Sequence, residues 1–180
     1  MGTAIESRSD AVTPAPTAGR ERVAELFAVI ELVRSWAQRR TDIQAVGLAG
    51  SWARGAQRPD SDADLVVLTA GAQYYELTTE WIGDALLHQA PVVRTRRRGP
   101  VIERRVLLPS GFELEFGFAD PSWARAAPVD SGTARVVGDG FRVLYDPHGI
   151  LGRPSMRCAS SDRARFSGWS TRGTARLRPG

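Results

Sequence analysis

Two aspartates one residue apart, Asp62 and Asp64, open an apolar run at residues 65–68. Eleven residues before Asp62, Gly50 and Ser51 close another apolar run, residues 43–49. In an extended strand residues i and i+2 point to the same face, so Asp62 and Asp64 project together while Ala63, Leu65 and Val67 face the other way. Two adjacent carboxylates repel, and neither can be buried without a counter-charge. Oxygen-only ligands suit a hard divalent cation, and Mg²⁺ in particular is held by one or two carboxylates together with phosphate oxygens and water. Gly50 removes a side chain where backbone could approach a phosphate. Ser51 and the amides after it are donors at the start of a short helical turn expected at residues 52–56. Spacing and residue type therefore place a phosphate cradle beside a cation-binding pair.

The longer pattern is Gly50-Ser51-x-Ala53-Arg54-Gly55 followed by Ser61-Asp62-x-Asp64-Leu65. It resembles the signature of the nucleotidyltransferase superfamily of the DNA polymerase β type, in which a strand ending in Gly-Ser is followed about a dozen residues later by Asp-x-Asp. It is similar in particular to the minimal nucleotidyltransferases of prokaryotes, some of which act as antitoxins beside a helical toxin, and to the aminoglycoside nucleotidyltransferases. The resemblance implies a mixed central β-sheet flanked by helices, an α/β (α+β) nucleotidyltransferase fold, and a third acidic residue on a strand beside the Asp-x-Asp strand. The bland alternative is a solvated hairpin whose aspartates only discourage aggregation.

The 180 residues suit one domain with a sizeable core, and 42% hydrophobic with 24% charged residues is ordinary globular usage. The pI of about 10.1 invites a nucleic-acid reading. The charge is uneven, however: residues 153–180 carry seven Arg against Asp162 alone, a surplus of +6, while the other 152 residues hold 17 Arg and 19 acids, a net of −2. All 24 basic residues are Arg and none is Lys, which points to coding composition rather than a binding adaptation. One cysteine, Cys158, excludes an internal disulfide and suits a reducing compartment. No apolar segment is long enough to span a membrane and the N-terminus lacks a signal-peptide pattern, so a cytoplasmic protein is expected.

The elements that must position the motif follow in order. Residues 1–17, rich in Thr, Ser, Ala and Pro, are expected to be a disordered leader. By the resemblance, residues 18–152 are expected to form the nucleotidyltransferase domain. It opens on a helix at 18–41, whose apolar stripe includes Val23, Leu26, Ile30, Val33 and Ala37. Residues 43–49 and 63–69 are strands too apolar to be half-exposed, hence central. Residues 72–89 read as a second amphipathic helix. Residues 91–98, 101–108 and 112–119 read as a three-stranded meander with turns at Gly99-Pro100 and Pro109-Ser110-Gly111. Asp120-Pro121 caps a short helix, residues 130–139 are a long turn, and residues 141–145 are a last strand closed by Asp146-Pro147-His148-Gly149. Residues 153–180 show no period and are expected to be a basic, disordered tail.

Within the meander, Glu113 and Glu115 alternate with apolar residues and share a face, so both fit the third acidic position implied by the resemblance. Glu115 is preferred because Leu114 and Phe116 flank it tightly and an acid there needs a cation or basic partner; Glu113, nearer the turn, suits a solvated edge. Arg94, Arg96, Arg97, Arg98, Arg104 and Arg105 cluster on the first two meander strands. They form either a positive wall that steers a triphosphate or nucleic-acid acceptor, or an edge hairpin kept soluble by charge.

By the resemblance, Asp62, Asp64 and Glu115 are the catalytic residues and hold a two-metal Mg²⁺ site, while Gly50 and Ser51 contact the triphosphate. Arg54 either meets phosphate charge or is an ordinary surface ion-pair residue. The reaction implied moves a nucleoside monophosphate, AMP from ATP or its equivalent from another NTP, to a hydroxyl of a protein or small molecule, and pyrophosphate leaves. The alternative is a non-catalytic, antitoxin-like binding module of the same fold with a toxin-like protein partner. A third reading, nucleic-acid binding through the tail, predicts affinity that falls steeply with salt.

Overall fold

The computed structural model of the chain describes residues 16–86, 88, 90–125 and 140–151. The chain opens on α1 (Pro16–Arg39), two residues before the expected start, and continues through β1 (Ile43–Ala49), α2 (Gly50–Ala53) and β2 (Ala63–Thr69). There follow α3 (Ala72–Leu77), α4 (Glu80–Leu86), β3 (Val92–Arg98), β4 (Val101–Leu107), β5 (Glu113–Ala119), a 3₁₀ turn (Pro121–Arg125) and β6 (Phe141–Tyr145). Of the leader expected at 1–17, residues 16 and 17 belong to α1 and residues 1–15 lie outside the described residues, as do the long turn at 130–139 and the basic tail with Cys158. No helix among the described residues is long and apolar enough to cross a membrane.

The strands form one mixed sheet in the order β3-β4-β5-β2-β1-β6. Every pairing is antiparallel except β2 with β5, which run parallel in the register Ala63 to Leu114 and Asp64 to Glu115. β1 and β2 are internal, as their apolar composition requires. The exposed β3 is an edge strand carrying Arg94, Arg96, Arg97 and Arg98, and charge there discourages pairing with another chain.

Alternation assigns the two faces. Val46 and Leu48 of β1, Ala63, Leu65 and Val67 of β2, and Leu114, Phe116 and Phe118 of β5 pack into the main core against α1, α3 and α4. Its centre is aromatic: Tyr75 stacks on Phe118 at 4.4 Å between ring centroids, and Trp81 meets Phe116 edge-on at 5.0 Å. On the opposite face Ala45, Ala49, Val66, Leu68, Trp123 and Leu151 belong to a smaller cluster, with Val101 and Phe141 packed against it. Asp146 secures this cluster by accepting from the amides of Ile150 at 2.8 Å and Leu151 at 2.9 Å. Among the described residues, α1, α3 and α4 pack on the first face, and the acids at the starts of β2 and β5 lie on the second.

One expected element divides. The single helix expected at 72–89 is two, α3 and α4, because Thr78 turns extended (φ −121°, ψ 166°) and its hydroxyl bonds the Tyr74 carbonyl at 3.0 Å. Consecutive β-branched Thr78 and Thr79 lose side-chain freedom in a helix, and a threonine hydroxyl competes for backbone partners. The Trp81 indole donating to the Thr78 carbonyl at 3.2 Å fixes the joint. The break lets both Tyr75 and Trp81 reach the same aromatic core.

Candidate active site

The site begins where β1 ends. Gly50 has φ +71°, a left-handed conformation that L side chains avoid. A Cβ on it would also lie 2.5 Å from Asp64 Oδ2, so the aspartate carboxylate is tucked against the space the glycine leaves. The Gly50 amide donates to the Gly140 carbonyl at 3.1 Å, which ties the turn to the approach of β6. Ser51 follows in α2, half-buried, and Trp52 packs inward while its indole donates to the Ser61 carbonyl at 3.3 Å. That bond and the Arg58 amide to Ser61 Oγ contact, at 2.8 Å, shape the loop that delivers Asp62 to the start of β2.

Parallel pairing of β2 with β5 brings the acids together. Asp64 stands opposite Glu115 in the ladder, and both lie on the face away from the helices. Glu113 lies on the same face one step nearer the turn; its side chain is 40% exposed against 15% for Glu115. A residue assigned only to the arginine cluster sits between them. Arg105 of β4 is opposite Glu115 across the β4–β5 ladder. Its Nη2 donates to Asp62 Oδ2 at 2.6 Å and to Glu115 Oε2 at 2.8 Å, and its Nη1 to Glu113 Oε2 at 2.6 Å. Arg94 of β3 adds a second ion pair to Glu115. The basic partner that Glu115 needs is therefore present, from two strands.

Charge remains unbalanced. Asp62, Asp64, Glu113 and Glu115 outnumber Arg94 and Arg105 by two, and Asp64 makes no ion pair within 4 Å among the described residues. Burial, then the charges of Asp62 and Glu115, push the Asp64 carboxyl up to about 7, against a smaller opposing pull from Arg105. Burial alone would lower Arg105, but the hydrogen bond to Glu115 and the charges of Glu115, Asp62 and Glu113 outweigh it and raise it. As the side chains stand, no group of three or more His, Cys, Asp or Glu among the described residues is arranged to hold a metal ion. The guanidinium that joins Asp62 to Glu115 also separates them. The donor set nevertheless fits a divalent cation: hard oxygens, a surplus of two negative charges, and a half-buried carboxylate whose ionised form lacks a paired cation.

The expected arginine wall is divided by the strand alternation. Arg97 and Arg104 lie on the helix side, where Arg97 pairs with Glu76 and the buried Arg104 donates to the Tyr75 carbonyl at 2.6 Å. On the carboxylate side, Arg98 pairs with Glu103 at 2.7 Å, and Arg94 and Arg105 serve the acids. Arg96 is exposed and makes no ion pair among the described residues. Five of the six arginines are thus bonded within the fold, and Arg96 alone of them faces outward without an ion pair among the described residues. Arg54 is exposed at the end of α2. Sequence reasoning missed the roles of Arg105 and Arg94. The alternation Glu103-Arg104-Arg105 does separate Arg105 from Arg104, but which acid it meets depends on strand register.

With this geometry in view, residues 29–102 match the family model described as "Nucleotidyltransferase domain". That span holds Gly50, Ser51, Asp62 and Asp64 and ends before Arg105, Glu113 and Glu115. No curated protein matches the chain. Among solved structures, the chain is similar to a cytoplasmic RNA terminal U-transferase at 20% identity and TM-score 0.38, over 58% of this chain and 30% of that one. It is similar also to the Cid1 poly(U) polymerase at 16% identity and TM-score 0.38, over 58% of this chain and 31% of that one. The chain thus spans less than a third of either structure's length.

Proposed function

We propose that this chain, whose residues 29–102 match a nucleotidyltransferase domain, transfers a nucleoside monophosphate, AMP from ATP, to a hydroxyl of a protein or small-molecule acceptor with release of pyrophosphate. The observation that carries the proposal is the convergence of Asp62, Asp64 and Glu115 beside the Gly50 turn, with a surplus of two negative charges and one carboxylate pushed up to about 7. Asp62 and Asp64 would hold Mg²⁺. Glu115 would complete the site or accept the acceptor hydroxyl's proton on a carboxylate oxygen. Bound there, a pair of divalent cations supplies Lewis-acid stabilisation of the attacking and leaving oxygens.

The remaining work belongs to the chain. Gly50, without a side chain, and the Ser51 hydroxyl would receive the triphosphate, and Arg54 at the end of α2 would meet its charge. The rigid β1–β2 and β2–β5 pairings would hold reactants in line for attack on the α-phosphorus, where positioning and electrostatics account for most of the rate. A reducing cytoplasmic setting accords with this substrate and with the single cysteine. In this reading the domain occupies residues 18–152, and 1–17 and 153–180 are appendages.

The full chain with α-labelled ATP and Mg²⁺, alone and with cell lysate, beside Asp64→Asn, tests the proposal. Label moving to a protein or small molecule with wild type and not with the variant is the expected result. A second reading, a non-catalytic module that binds a toxin-like protein, is favoured by one observation: Arg105 and Arg94 already neutralise Glu115. If no label moves from any triphosphate, while wild type and Asp64→Asn capture the same partner, the binding module replaces the enzyme.

A further inference from the structure

We propose that Arg105 is a displaceable internal counter-ion, holding Asp62 and Glu115 in position until a divalent cation takes them over, with Glu113 as the tether that keeps the displaced guanidinium. The inference rests on the metal-dependent transferase reading. Its basis is the placement of one side chain among three acids. Arg105 reaches Asp62 ahead of β2 and both glutamates of β5, with four hydrogen bonds between 2.6 and 3.1 Å. The side chain is 21% exposed, so these bonds form in partly desolvated surroundings where charge pairs exceed their value in open water.

A divalent cation at Asp62, Asp64 and Glu115 would share oxygens with this guanidinium and repel it. Glu115 Oε2 alone accepts from Arg105 Nε, Arg105 Nη2 and Arg94 Nη2. The contacts divide by nitrogen. Nη2 and Nε serve Asp62 and Glu115, whereas Nη1 serves Glu113, the more exposed glutamate and the one outside the proposed cation set. Swinging Nη2 away while Nη1 keeps its carboxylate frees Asp62 and Glu115 without stranding the guanidinium. Arg94 is on the exposed edge strand and can leave toward solvent. The arrangement spares the protein the mutual repulsion of its acids when no cation is bound, and it weakens cation affinity in return.

Mn²⁺ binding to the full chain without nucleotide, followed by calorimetry and by the electron paramagnetic resonance of free Mn²⁺, tests this without any activity readout. Arg105→Gln is expected to bind Mn²⁺ about tenfold more tightly than wild type, the scale of one close charge pair. The double variant Arg105→Gln/Glu113→Gln, which removes one charge of each sign and so guards against misfolding, is expected to do the same. Affinity equal to or weaker than wild type in both overturns the counter-ion. Where no variant needs to fold, saturating Mg²⁺ added to the wild-type chain is expected to shift the Arg105 Nε nuclear magnetic resonance; an unmoved resonance overturns the displacement. Mn²⁺ binding that Asp64→Asn abolishes, yet Arg105→Gln leaves unchanged, removes only this inference. No Asp64-dependent binding in any form removes the metal-dependent transferase reading as well.

Discussion

Asp64 concentrates the electrostatic cost of the site in one carboxyl. Because its affinity for a proton is raised in the fold, the cation-free native state keeps a proton that the unfolded chain releases above its ordinary value of 3.8. Stability from this group is therefore greatest in acid, declines as pH rises from about 4 to about 7, and stays low above that. At full strength such a displacement is worth about 4 kcal/mol at pH 8, and solvent screening of a side chain that is only partly buried reduces the penalty to about 2 kcal/mol. Asp64→Asn is expected to raise the cation-free melting temperature by roughly 4–8 °C at pH 8 and to change it little near pH 4; melting curves at the two pH values check this. A destabilised variant at pH 8 would mean that Asp64 has a stabilising partner. Gly50→Ala combines a left-handed backbone with a methyl pressed on the same carboxylate. It should cost about 1–3 kcal/mol in urea unfolding and eliminate label transfer.

Between elements, the far end of the sheet is tied by a polar cluster that takes no part in the candidate site. The Tyr75 hydroxyl of α3 donates to Asp42 Oδ2 at 2.5 Å, and Arg40 Nε donates to Asp42 Oδ1 at 2.8 Å, joining the end of α1, the approach to β1, and α3. Burial alone would raise the Asp42 carboxyl, but the hydrogen bonds from Arg40 and Tyr75 outweigh it and hold it below its ordinary value. That stabilisation is fully present above the ordinary carboxylate range and is lost as pH falls through the lowered native value. Tyr75→Phe should thus cost about 1–2 kcal/mol at pH 7, and the difference from wild type in urea midpoint should shrink on acidification toward pH 3. An undiminished difference in acid would assign the loss to packing against Phe118 and Trp36 instead. At this scale the apolar strands were legible, since residues 43–49 and 63–69 coincide with β1 and β2. The division of α3 from α4 was not, because the competing pattern of Tyr75, Trp81, Ile82 and Ala85 is nearly continuous and is interrupted at Thr78, whose hydroxyl bonds the Tyr74 carbonyl and whose carbonyl accepts from the Trp81 indole.

For the molecule as a whole, stability and cation binding should be linked, since anything that binds the native state alone stabilises it by mass action. At pH 8 and a hundredfold excess over its dissociation constant, Mg²⁺ should contribute about 2.7 kcal/mol, a rise in melting temperature of roughly 5–10 °C. A chelator should reverse the rise, and Asp64→Asn should not show it; scanning fluorimetry with and without Mg²⁺ decides. An equal Mg²⁺ response in the variant would place the cation elsewhere.

Much of this protein could be read directly from its residues. Period-two alternation put Asp62 with Asp64 and Glu113 with Glu115, apolar runs marked central strands, and Gly50 before Ser51 marked the turn, all because these are consequences of local chain geometry. Tertiary structure alone decided which acids meet which bases. Register is a long-range property: parallel pairing sets Asp64 against Glu115, and antiparallel pairing delivers Arg105 to Glu115, whereas a one-residue slip would have sent Arg105 to the helix side and Arg104 to the acids in its place. The acidic pair was written in the sequence, and its internal counter-charge emerged only when three strands came into register.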